Sequence, residues 1–144
     1  MPEKDVSELI EYARRLHGHV GPYLVVGLKM GLAAKNALGI SDQETVHMDA
    51  AVYVPLHPPE SCMLDGIQVS TTCTVGNQRL QFSSAETIHG FFSSHVRTKA
   101  VKITLAKALI DQLTQRTQQD KLDEQFAWEV AEMPETQLFN IILE

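Results

Sequence analysis

The chain has 144 residues, 44% of them hydrophobic and 21% charged, with a net charge of −6 at pH 7. These values describe one globular domain over residues 1–144 and exclude disordered, collagen-like and mucin-like chains, and the acidic balance argues against nucleic acid as a partner. Two cysteines are too few for a disulfide framework, but beside six histidines they suffice for one metal site or one reactive thiol.

The spacing of Val6, Leu9, Ile10 and Ala13 predicts a first helix over residues 5–16, capped by Asp5 or Ser7. His17-Gly18-His19-Val20-Gly21-Pro22 breaks it, and Pro22 suits the first position of a second helix over 22–38 that stops at Gly39. Gly27 and Gly31 share one face of that helix, where another element can approach closely. Residues 46–54 read as a strand and 61–70 as a third helix that the β-branched Val69, Thr71 and Thr72 weaken. Strands are predicted over 79–83, 86–93 and 99–105, the first two joined by the Ser84-Ala85 turn, which implies antiparallel hairpins. Helices over 106–115 and 122–132 follow, Pro134 ends the second, and 138–143 reads as a last strand. The expected class is α+β, with a mixed sheet of about five strands flanked by helices. The most apolar stretch, residues 23–34, is too short to span a bilayer and carries Lys29, so no membrane is expected. The opening Met-Pro-Glu-Lys-Asp has no secretion pattern, so the cytoplasm is the expected compartment, with reduced thiols.

The chemistry gathers at one end. A second helix of about 25 Å and a first strand of about 30 Å have comparable lengths. As antiparallel neighbours they bring His17 and His19 near the loop His57-Pro58-Pro59-Glu60 and near Cys62, in the first turn of helix three. A helix N-terminus lowers a thiol's pKa, so Cys62 is expected as a thiolate, and a thiolate with two imidazoles suits Zn²⁺ with one position left open. Ni or Fe would accept the same donors. Asp65 lies on the same helix face and would orient an imidazole or carry a proton. The competing reading makes Cys62 a core thiol and His17 and His19 turn residues. Cys73, about 16 Å further along a continuous helix, joins the site only if the helix ends early and the chain turns back. The Thr74-Val75-Gly76-Asn77 turn is a weak anion-binding candidate, and His89 and His95 read as structural or surface residues. The basic run Arg97, Lys99, Lys102, Lys107 and the acidic C-terminal stretch are solvated faces, or else they meet an anionic substrate or a partner protein.

Leu16-His17-Gly18-His19-Val20-Gly21-Pro22 and, further on, Cys62-Met63-Leu64-Asp65-Gly66-Ile67-Gln68 with Thr72-Cys73-Thr74-Val75-Gly76 resemble the FmdE-like family of formylmethanofuran dehydrogenase proteins. Its pattern is roughly F-H-G-H-x-C-P-G, then C-x-x-D-A-I-Q-x-x-T-G-C-T-x-G-K-G-N-L. The resemblance implies a thioredoxin-like core, a homodimer, zinc at a site in that core, and association with a molybdenum or tungsten oxidoreductase of one-carbon metabolism. It is a resemblance to the core domain alone, without the zinc finger that other members add. Carried over by position, the site residues are His17, His19, Cys62, Asp65, Gln68 and Cys73. Of these, His17, His19, Cys62 and Cys73 are the implied metal ligands, and Asp65 and Cys62 the implied catalytic pair. The chain departs from the pattern at Gly21 (Cys in the family), Tyr23 (Gly), Thr72 (Gly) and Asn77-Gln78-Arg79 (Lys-Gly-Asn), so one thiol ligand fewer is at hand. Two functions are expected from this: a metal-dependent protein of one-carbon metabolism, or a non-catalytic module that docks on, or delivers metal or cofactor to, a molybdopterin oxidoreductase. A metal-free redox thiol at Cys62 is a third.

Overall fold

Helix α1, Val6–His17, starts where the Asp5 side chain accepts the Ser7 N–H at 2.7 Å and ends at Gly18, whose φ of 103° only glycine adopts without strain. Helix α2, Pro22–Leu38, has the expected bounds and is buried nearly all round, because it lies between the sheet and other helices. The computed structural model describes residues 5–120 and 122–144. Among them no helix is long and apolar enough to cross a membrane.

Strand β1, Met48–Tyr53, is shorter than expected. Val46 and His47 fall in a 3-10 turn, Asp42–His47, which is locked by a reciprocal cap: Glu44 Oε1 accepts the Ser41 N–H at 3.0 Å and the Ser41 side chain answers. That backbone bond holds the Glu44 carboxyl below its ordinary range. A short 3-10 turn, Glu60–Cys62, leads into α3, Met63–Thr71, and then come β2 (Leu80–Ser83), β3 (His89–Ser94) and β4 (Lys99–Leu105). Helices α4 (Lys107–Gln119), α5 (Glu124–Glu132) and the single turn α6 (Glu135–Leu138) precede β5, Phe139–Leu143.

The five strands form one mixed sheet in the order β2-β1-β3-β4-β5, flanked by helices, which is the α+β class expected. The expected hairpin between β2 and β3 does not form. β2 is parallel to β1, with Ala50 opposite Leu80, whereas β3 pairs antiparallel on the other side of β1, with Ala50 opposite Phe92. Helix α3 is the reason: packed against α2, it carries the chain back, so β2 re-enters in the direction of β1 and takes the edge. The Ser84-Ala85 turn then passes the end of β1, where the Ala85 N–H meets the Val54 carbonyl at 3.3 Å.

The alternation in β1 puts Met48, Ala50 and Val52 in the core with Phe92, Val101 and Ile103. Tyr53, His89, Phe91 and Lys102 share the other face, where Tyr53 stacks on His89 at 4.7 Å. Gly27 and Gly66 let α2 and α3 touch backbone to backbone, and Gly31 makes room for the Ser70 side chain. A Cβ at Gly27 would stand 2.1 Å from the Met63 carbonyl oxygen, one at Gly66 2.0 Å from that of Leu24, and one at Gly31 2.0 Å from Ser70 Oγ. This seam fixes the start of α3 against the start of α2, and the functional residues lie there.

Candidate functional site

His17 is the last residue of α1, and the Gly18 reversal brings His19 back beside it, so the two imidazoles stack with centroids 4.9 Å apart and planes 22° from parallel. Val20 is buried and anchors the reversal in the core. From α3, Asp65 reaches across: its Oδ2 lies 2.6 Å from His17 Nδ1. A carboxylate can only accept, so His17 donates its Nδ1–H and keeps Nε2 as the free nitrogen of the neutral ring. Asp65 is itself held, since Gln68 Nε2 donates to Oδ1 at 3.1 Å. Gln68 Oε1 in turn accepts the Val75 N–H at 3.2 Å, which sets which way round the amide lies. The two sequence motifs thus meet in one chain of hydrogen bonds, from Val75 through Gln68 and Asp65 to His17.

This chain borders a cavity of about 330 Å³ lined by His17, His19, Gly21, Pro22, Tyr23, Leu24, Pro58, Pro59, Cys62 and Leu122. Its walls are mainly apolar and its polar groups few, as in small-molecule sites. The expected convergence of His17, His19 and Cys62 on one end of the domain is observed. His57 is not a wall residue: its side chain is 67% exposed.

Cys62 is not the thiolate expected. Burial, with the charges of Asp65 and Glu60 adding to it, pushes its pKa up. The helix-terminus effect is weak because a 3-10 turn precedes α3, and the Cys62 N–H is already bonded to the Pro59 carbonyl at 3.2 Å. Tyr23 is pushed up to about 12, first by burial and then by the Glu60 charge.

Cys73 stands apart from the other candidates. Helix α3 does end early, at Thr71, with Thr72 in the left-handed region at φ 59°. The turn leads the wrong way for a shared site, to the opposite end of β1. There Cys73 is fully buried and its Sγ donates to the Met48 carbonyl at 3.3 Å. As a fourth ligand beside His17, His19 and Cys62 it is corrected to a core thiol. The Thr74–Asn77 turn satisfies itself: the Thr74 N–H donates to Asn77 Oδ1 and the Asn77 N–H to Thr74 Oγ1, at 2.9 and 3.1 Å. His89 and His95 sit on the sheet, against Tyr53 and Asp49.

The arrangement does not fit a preformed zinc, nickel or iron site. Among the described residues no three His, Cys, Asp or Glu side chains converge to hold an ion. The geometry explains why: the imidazoles lie face to face instead of aiming nitrogens at one point, and Cys62 keeps its proton.

Residues 16–140 match the family described as "FmdE, Molybdenum formylmethanofuran dehydrogenase operon", a span that contains both motifs and the whole site. The chain belongs to the FmdE family. Its fold is also that of a crystal structure of a tungsten formylmethanofuran dehydrogenase FmdE-like protein from Syntrophus aciditrophicus. The TM-score is 0.68 at 18% identity, covering 100% of this chain and 77% of that one. A further relative, from Archaeoglobus fulgidus, is named a probable S-adenosyl-L-methionine-binding protein. It is 29% identical over 79 residues, 55% of this chain but only 21% of that protein, so this FmdE chain matches about a fifth of the relative's length.

Sequence reasoning did not single out Tyr23, Pro58, Pro59 or Leu122 as walls of the FmdE pocket. Tyr23 carried a readable signal, because a site at the start of α2 must use the residues of that helix's first turn. Leu122 carried none, as it reaches the pocket from a segment about a hundred residues away in the chain.

Proposed function

We propose that this FmdE chain binds a small, largely apolar molecule in the His17 pocket and moves a proton at it, in the service of a molybdenum or tungsten oxidoreductase of one-carbon metabolism. The observation that carries the reading is the 2.6 Å contact of His17 with Asp65, made at the wall of a pocket shared with His19 and Cys62. Asp65 fixes the tautomer and stabilises the imidazolium once His17 Nε2 has taken a proton. Pro22, Leu24 and Pro58 shed water from the bound group, and the neutral Cys62 thiol offers a weak donor. The test is a ligand screen by thermal shift on wild type and His17→Ala, with formate, formylated amines and S-adenosyl-L-methionine among the probes. A ligand that stabilises wild type and not His17→Ala supports the reading. A set of ligands that stabilises both equally sinks it.

The metal reading keeps one supporting observation: an imidazole whose Nδ1–H is held by a carboxylate is the usual posture of a metal-bound histidine. On this reading His17, His19 and Cys62 close on an ion, zinc first, only after their side chains turn and Cys62 gives up its proton. Metal content after purification without added metal decides it: equal content in wild type and Cys62→Ser removes Cys62 as a ligand. A non-catalytic accessory module that docks on, or delivers metal or cofactor to, such an oxidoreductase is the alternative to proton transfer, and a homodimer is a further part of the proposal; both rest on the FmdE membership. Co-purification of a salt-sensitive complex with an oxidoreductase, and sedimentation of the chain at twice its 16.0 kDa mass, are the results expected.

A further inference from the structure

Among the described residues, Tyr23 alone lines both the His17 pocket and a second cavity, of about 440 Å³. That volume falls within the range of small-molecule sites. Helix periodicity sets where the Tyr23 ring goes. Met30 lies seven residues further on, about two turns, and so on the same face of α2. Its Sδ is 3.3 Å from the place a Cβ of Gly90, in β3, would take, whereas Leu24 and Leu28 turn their backbone to Gly66 of α3. Tyr23 is therefore on the sheet side of α2, and its ring is aimed into the second cavity, where β3 begins and β4 ends at Leu105. The residue is only 7% exposed, yet its hydroxyl has no hydrogen-bond partner among the described residues. Nor is that oxygen sealed: the atoms among them that are both shut off from solvent and unpartnered are Glu60 Oε1 and Ser70 Oγ, so the surface Tyr23 keeps includes its oxygen. A phenol O–H held in apolar surroundings without an acceptor is costly, and an acceptor on a ligand relieves it. Burial and then the Glu60 charge raise its pKa to about 12, so it remains a donor. The charges nearby select against a charged ligand: Glu60 and Glu86 oppose an anion and Lys102 opposes a cation, so neither recovers the cost of leaving water.

We propose that the second cavity binds an uncharged carbonyl compound carried on a short aliphatic chain, with the Tyr23 hydroxyl donating to its carbonyl oxygen and the chain laid along Ile88, Leu105 and Ile110.

Hexanamide, titrated into the whole chain and followed by amide NMR, tests it. Saturable shifts are expected at residues 86–88 and 102–105, and weaker binding from sodium hexanoate and hexylammonium chloride, which have the same chain length. Tyr23→Phe removes an oxygen that bonds nothing in the chain, so the fold should hold, and it should weaken hexanamide binding about three- to tenfold, the loss of one hydrogen bond. Equal affinity in wild type and Tyr23→Phe would mean that the hydroxyl meets only water, and it overturns the proposal. So does an absence of saturable shifts, or binding of either charged probe as tight as that of hexanamide. His17→Ala should leave the shifts at 102–105 and their midpoint unchanged, which separates this site from the fate of the His17 pocket. Loss of those shifts in His17→Ala, or shifts confined to residues 17–24, would place the amide in that pocket and overturn the second site.

Discussion

A histidine acquires a role when its two nitrogens become unequal, and Asp65 does this to His17. The carboxylate claims Nδ1–H, and the Asp65 side chain is 35% exposed, so the bond is worth about 1.5 kcal/mol, the low end for a charged acceptor. Nitrogen NMR should show His17 as the Nδ1–H tautomer in wild type and as a mixture in Asp65→Ala. A mixture already present in wild type would remove the orienting role. Gln68→Ala should act in the same direction more weakly, since Asp65 loses one of two donors. Cys62 gives a second check at this scale. Because burial raises its pKa, its alkylation by iodoacetamide should rise with pH to a midpoint above the ordinary thiol value of about 8.5. A midpoint well below that would restore the thiolate. His17, His19, Cys62 and Asp65 were legible in the sequence as one cluster, because each pair sits at a helix end and the matched lengths of helix two and strand one, with the family motifs, bring those two ends together. The ionisation of Cys62 was not legible, because it depends on what covers the thiol.

At the scale of elements, the site rests on the contact of α2 with α3. Their glycines bring main chain to main chain, so a methyl group has nowhere to go. Gly27→Ala should gain up to about 1 kcal/mol in helix propensity and still lose about 1–3 kcal/mol net to overpacking. A lower denaturant midpoint at unchanged slope is expected, with the His17–Asp65 contact loosened because α3 is pushed away. Unchanged stability would mean that the helices separate freely. The Gly27/Gly31 face was readable as a close-approach device, although its partner was not. The hairpin expected for β2 and β3 shows the complementary limit. Two strands joined by a short turn look alike in sequence whether they pair with each other or straddle a third. Only the crossover through α3, which sets the direction of β2, separates the cases.

For the whole molecule, burial of acidic groups couples folding to alkaline pH. Cys62, Cys73 and Tyr23 all hold their protons more tightly in the fold than in the unfolded chain, chiefly through burial. The unfolded chain therefore loses those protons first. Stability is complete below about pH 8.5, falls as the thiols of the unfolded chain ionise, and falls further between about 10 and 12 as Tyr23 follows. Urea midpoints should decline over that range, and Tyr23→Phe should remove the upper part of the decline. A flat profile from pH 8 to 11 would contradict the burial of these groups. The same midpoints measured in acid give no comparable effect from these three residues.

By itself the sequence determined the α+β class, the bounds of α2, the family, and the meeting of His17, His19 and Cys62 at one end. The class and the helix bounds follow from local periodicity and caps, whose physics acts within a few residues, while the family and the meeting of the two ends were read from paired motifs and matched element lengths. Tertiary structure alone decided the rest. It chose His17 over His19 as the imidazole that Asp65 holds, buried Cys73 at the far end of β1 and closed the pocket with Leu122. It also left Glu60 Oε1 without a hydrogen-bond donor among the described residues. Each of these depends on which surfaces are brought together and how much water they exclude, and neither quantity exists until the helices have packed on the sheet.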